Sequence, residues 1–124
     1  MLFRSNVAQA LDVIGDVDGR LCILTDDMID TGGTIVSAAH LLLDKGATEV
    51  WAMATHGVLS GPAVERLTNS RIDRVILTNT LPLPPEAQID KIKVLSVGRI
   101  IADALSAVFD DTSVSEIFGG ENQA

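Results

Sequence analysis

The sequence has one cysteine, Cys22, which excludes an intrachain disulfide and a cysteine-held zinc site. It is also poor in cations: nine Lys and Arg stand against seventeen Asp and Glu, for a formal net charge of −8. Without a basic face to displace phosphate counterions, general nucleic-acid binding is not expected. No apolar run approaches the ~18 residues of a membrane-spanning helix, so no membrane partner is expected. Met1-Leu2-Phe3-Arg4-Ser5 lacks the apolar stretch of a secretory signal. There is no internal repeat, and the one compositional cluster is Pro82-Leu83-Pro84-Pro85. What is present is apolar: 47% of the 124 residues. A chain of that size fits one domain and buries roughly two thirds of its unfolded surface. A cytoplasmic location is expected.

Short apolar strands alternate with amphipathic helices along the chain. Leu11-Asp12-Val13-Ile14 reads as a weak first strand, closed by the turn-rich Gly15-Asp16-Val17-Asp18-Gly19. Leu21 to Thr25 is apolar almost without alternation, which predicts a parallel strand covered on both faces. Ile35, Ala38, Ala39 and Leu42 then fall at i, i+3, i+4 and i+7, one face of a helix that Gly46 stops. Glu49 to Thr55 reads as a strand, and Ser60, Gly61 and Pro62 suit the opening of a short helix. Arg74 to Thr78 and Lys93 to Val97 read as two more strands. A last helix carries Ile100, Ile101, Ala104, Leu105 and Val108 on one side. Strands separated by helical crossovers predict a parallel α/β sheet.

The chemically informative stretch is Thr25-Asp26-Asp27-Met28-Ile29-Asp30-Thr31-Gly32-Gly33-Thr34. It leaves a buried strand with two acids, passes a Gly-Gly loop between threonines, and enters a helix. Backbone N–H groups at a helix start, backed by the macrodipole, form an anion site. Gly32 and Gly33 allow close approach of a phosphate, and the Thr31 and Thr34 hydroxyls can add hydrogen bonds to it. Asp26 and Asp27, at the carboxyl end of a strand, suit a pair of sugar hydroxyls. The same residues also suit an ordinary strand exit into a capped helix. The loop is not a P-loop, because no Gly-Lys-Ser/Thr follows, and Gly-x-Gly-x-x-Gly is absent.

From Leu21 to Thr34 the chain resembles the binding motif of the type I phosphoribosyltransferase fold. The form Asp26-Asp27-Met28-Ile29-Asp30-Thr31-Gly32-Gly33-Thr34 is specifically similar to the ribose-phosphate diphosphokinases, or phosphoribosyl pyrophosphate synthetases. Asn6-Val7-Ala8, Val13 to Val17, Ala54-Thr55-His56-Gly57, Thr78-Asn79-Thr80 and Ser113-Val114-Ser115 extend the resemblance, in order. Thr25 departs from it, since the family usually has an aliphatic residue there.

The resemblance implies a three-layer parallel α/β sheet, with a C-terminal, ribose 5-phosphate-binding domain over residues 6–118 and a tail at 119–124. The family moves the diphosphoryl group of ATP to ribose 5-phosphate with Mg²⁺, giving phosphoribosyl pyrophosphate and AMP. By position, Asp26 and Asp27 would bind the ribose hydroxyls, directly or through Mg²⁺. Asp30, Thr31, Gly32, Gly33 and Thr34 would surround the 5-phosphate. Ser113 and Ser115 match a regulatory phosphate or ADP site between subunits, which implies a homo-oligomer; a solvated tail is the other reading of those serines.

Within the family, the catalytic Lys and Arg and the ATP-binding domain lie upstream of the residues matched by Asn6. The first strand and helix of the domain are therefore expected to be missing, together with the catalytic residues, leaving the chain alone inactive and marginally stable. Leu2-Phe3-Arg4-Ser5 is also what a common sequencing adapter encodes, so residues 1–5 are expected to be a non-native start. Two rival functions are a phosphoribosyltransferase, which consumes phosphoribosyl pyrophosphate, and a non-catalytic regulatory subunit. Elsewhere, His56 is expected to be a hydrogen-bonded structural residue and His40 a solvated one. Trp51 is expected in the core or an interface, and Cys22 is expected to be inert.

Overall fold

Parallel strands need a crossover between them, and this chain supplies one after each of its first three strands. The computed structural model describes residues 12–111. Its elements run β1 (Leu21–Ile29), α1 (Gly33–Asp44), β2 (Glu49–Gly57), α2 (Ala63–Asn69), β3 (Arg74–Thr78), a 3-10 turn (Pro85–Ala87), β4 (Ile92–Leu95) and α3 (Gly98–Phe109). The strands form one parallel sheet in the order β1-β2-β3-β4. Among the described residues β1 pairs with β2 alone, in a register that sets Leu24 beside Ala52 and Met28 beside His56.

One face of the sheet makes the core. Val50 and Ala52 of β2 and Val75 and Leu77 of β3 are fully buried there, against Ile35 and Ala39 of α1 and Ala63 and Leu67 of α2. Helix α1 packs on β1, β2 and α2. It begins at the expected apolar spacing, and the left-handed Gly46 (φ 103) follows its end at Asp44. Lys91 closes the far end of α2, where its ammonium donates to the carbonyls of Leu67, Thr68 and Ser70.

The opposite face corrects the expectation of a strand covered on both sides. Leu21 and Ile23 stay 45% and 49% exposed while Cys22 and Leu24 are half-buried, so β1 alternates. Beside them Trp51 is half-buried, its indole N–H donating to Glu49 and the Arg74 guanidinium standing 5.0 Å from its ring centroid. Four of the apolar residues placed on one side of α3, Ile100, Ile101, Leu105 and Val108, are exposed, and the buried residue of that helix is Ala107.

Three local expectations also change. Residues 12–14 form no strand, and Ile14 is fully exposed; Leu11 lies outside the described residues. Two apolar residues, Val13 and Ile14, with no neighbouring strand among the described residues gain too little burial to hold a strand. Both β1 and β2 run further than their apolar stretches, because their ladder continues to the pair Ile29 and Gly57. Strand β4 is Ile92–Leu95 rather than 93–97. Among the described residues, no helix is long and apolar enough to cross a membrane.

Candidate functional site

The carboxyl end of β1 is anchored before it turns. Ile29 is buried, and its carbonyl accepts the amides of Val58 (3.1 Å) and Leu59 (3.0 Å) from the segment after β2. Leu59 takes a left-handed backbone (φ 53), which costs a non-glycine residue roughly 1–2 kcal/mol. Its side chain is nearly fully buried, and that burial offsets the cost. Next, the Asp30 carbonyl accepts the Ser60 amide at 2.9 Å, and the Ser60 hydroxyl donates to the Asp30 carboxylate. Asp30 therefore serves as an acceptor that ties two loops together.

The turn into α1 uses Gly32 at φ 80, a left-handed position that favours glycine, buried against Ala63. Helix α1 opens with no side-chain cap, and its first backbone bond runs from the Val36 amide to the Gly32 carbonyl. The amides of Gly33, Thr34 and Ile35 have no acceptor among the described residues. Uncapped amides at the positive end of a helix dipole favour an anion. The exposed Thr31 and Thr34 flank them with hydroxyls. From α2, Arg66 reaches across and donates through Nη1 to the Thr31 carbonyl at 3.1 Å.

Asp26 and Asp27 are exposed and lie within β1, not beyond its end. Asp26 accepts the Asp27 amide at 2.8 Å and borders a cavity of about 240 Å³ that also involves Thr25, Thr55 and Thr78. Asp27 is not among the residues lining it. No group of three or more His, Cys, Asp or Glu comes together as a metal cage among the described residues.

His56 and Thr80 share a 2.8 Å hydrogen bond through the ring Nδ1, in keeping with a structural role. His40 is not simply solvated: its Nε2 accepts the Arg71 amide at 3.2 Å, while the Arg71 guanidinium pairs with Asp44 at 3.0 Å. Ser113 and Ser115 lie outside the described residues. Two residues that shape the loop, Ser60 and Arg66, carried no site signal in the sequence. Ser60 reads there as a helix opener, and nothing singles out Arg66.

A parallel sheet with an uncapped, glycine-opened helix at its carboxyl edge defines the class: an open α/β domain. Within that class, the chain belongs to the phosphoribosyl synthetase-associated domain family, which matches residues 3–119. It is 55% identical over 115 residues to a ribose-phosphate pyrophosphokinase of Caldanaerobacter subterraneus subsp. tengcongensis, covering 93% of this chain and 36% of the relative. Against the ribose-phosphate pyrophosphokinase of Bacillus subtilis the identity is 49%, over the same shares of each chain. The crystal structure of phosphoribosylpyrophosphate synthetase from Mycobacterium smegmatis superposes with a TM-score of 0.76 at 50% identity, covering 79% of this chain and 33% of that one. The chain thus spans about a third of the length of these relatives.

Proposed function

We propose that the 30–34 loop binds ribose 5-phosphate, and that the chain serves as the sugar-phosphate half of a ribose-phosphate pyrophosphokinase. The observation that carries this reading is the set of amides at Gly33, Thr34 and Ile35 that have no acceptor among the described residues, in a chain belonging to this family. Those amides and the Thr31 and Thr34 hydroxyls would hold the 5-phosphate. Asp30, bound by Ser60, fixes the loop that would surround the phosphate.

Asp26 and Asp27 would take the sugar end, one of them on the ribose hydroxyls. Mg²⁺ binds through one or two carboxylates plus waters and substrate oxygens, and the exposed carboxylates of Asp26 and Asp27 are of that kind. Bound there, the ion would neutralise charge that builds on the transferring phosphoryl oxygens. In the reaction read here, the diphosphoryl group of ATP moves to the 1-hydroxyl of ribose 5-phosphate, leaving AMP. This chain's residues bind and orient the acceptor sugar. The catalytic cations and the ATP-binding domain are assigned to the portion of the relatives that the chain does not span, as is turnover. A cytoplasmic homo-oligomer, with Ser113 and Ser115 near a regulatory phosphate site, belongs to the same proposal.

The test is a thermal melt with and without ribose 5-phosphate and Mg²⁺. Ligand at a hundred times its Kd adds about 2.7 kcal/mol of stability, and the melt should rise by several degrees. Ribose without the phosphate should produce no such rise, and a melt unmoved by either sugar would refute the proposal. Product analysis of the chain joined to a complete synthetase separates the reactions: AMP for diphosphoryl transfer, pyrophosphate for a phosphoribosyltransferase.

A further inference from the structure

We infer that Arg66 is the positioning residue of the 31–34 loop, its guanidinium holding the Thr31 carbonyl so that the Gly33 and Thr34 amides stay set for a phosphate. The inference rests on the ribose 5-phosphate reading and deepens it. No Lys or Arg occurs between Arg20 and Lys45, so the loop segment brings no cation of its own. It does bring three carboxylates, Asp26, Asp27 and Asp30, whose charge opposes a dianionic ligand. The fold supplies the missing cation from α2, thirty-five positions along the chain.

The geometry is specific. Nη1 of Arg66 donates to the Thr31 carbonyl at 3.1 Å, and the same nitrogen lies 3.1 Å from where a Gly33 side chain would begin. Gly33 is thus the residue over which the guanidinium lies, and its missing side chain is the room the cation uses. A guanidinium is planar, permanently charged and carries five N–H donors. Among the described residues one of the five is engaged, and neither salt bridge of the molecule takes Arg66. The remaining donors and the full charge stand beside the loop. Arg66 is exposed, so its replacement removes no core packing.

The test is calorimetric titration of the chain with ribose 5-phosphate in the presence of Mg²⁺, using wild type, Arg66→Gln and Arg66→Lys. Loss of a hydrogen bond made by a charged group should raise Kd about tenfold in Arg66→Gln. Arg66→Lys keeps the charge but not the planar fork, and should recover part of the affinity. The Gly33 and Thr34 amide chemical shifts should change in Arg66→Gln, while the ligand-free melting temperature stays within a few degrees of wild type. If Arg66→Gln does not fold, Arg66→Lys decides: a raised Kd supports the role and an unchanged one overturns it. A wild type that binds, with Arg66→Gln binding equally well, overturns the Arg66 role alone. A wild type that does not bind removes the ribose 5-phosphate reading and this inference together.

Discussion

Ser60 holds Asp30 twice, its amide donating to the Asp30 carbonyl at 2.9 Å and its hydroxyl donating to the Asp30 carboxylate. The double bond of contacts joins the segment after β2 to the loop after β1, just before the helix start that is suited to an anion. Removing the hydroxyl in Ser60→Ala leaves the Asp30 carboxylate to water and costs on the order of 1 kcal/mol. In a domain of about 100 residues that is a fall in melting temperature of roughly 4–8 °C. Ribose 5-phosphate affinity should fall as well, by calorimetry, because the loop loses its tie. An Asp30→Asn variant keeps an acceptor and should fall less than Ser60→Ala in melting temperature.

Gly57 ends β2 where a side chain would meet Leu77 of β3, which is fully buried. Gly57→Ala therefore forces Leu77 off its rotamer and should destabilise by about 1–3 kcal/mol. Shortening the neighbour relieves the clash, so adding Leu77→Val should cost less on the Gly57→Ala background than on wild type. Urea unfolding of the four chains checks this. Additive losses would show that the two side chains do not compete.

Burial pushes the Lys91 ammonium below its usual value of 10.5, with Asp73 drawing it partly back up. Between the folded and unfolded values, the unfolded chain holds the proton and the folded chain has lost it. The unfolded state then binds more protons, so stability rises with pH in that window. Wild type should gain stability relative to Lys91→Met as pH climbs towards 10.5 from below, followed by urea unfolding at each pH. A relative loss over that range would contradict the account. Near neutral pH, Lys91→Met should loosen the end of α2, since three carbonyls lose their donor.

Leu21 and Ile23 leave apolar surface open on β1, which pairs on one side only among the described residues. Exposed apolar strands at a sheet edge favour association between chains. Ile23→Lys should lower concentration-dependent light scattering while changing the melting temperature little. Unchanged scattering would place the association surface elsewhere.

Much of this architecture is legible in residue order. The i, i+3, i+4, i+7 spacing of Ile35, Ala38, Ala39 and Leu42 marks α1, and Arg74 to Thr78 coincides with β3 because both are local patterns. The end of β1 is less legible: Asp26 and Asp27 look like a loop, yet pairing with β2 carries the strand through them to Ile29. Side-chain polarity does not announce a strand whose ladder is set by its neighbour. The motif itself stands in sequence, from Asp26 to Thr34, and the structure gives Asp30 a partner and Gly32 its left-handed turn. Ser60 and Arg66 reach the loop from segments thirty and more residues away, which spacing within a motif does not show.

The most direct test of the central claim is an amide NMR titration of the chain with ribose 5-phosphate. The account predicts that the Gly33, Thr34 and Ile35 amides move first and furthest, as their free N–H groups meet the phosphate, and that ribose alone leaves them in place. Amide shifts confined to other parts of the sheet, or shifts equal for ribose and ribose 5-phosphate, would contradict it.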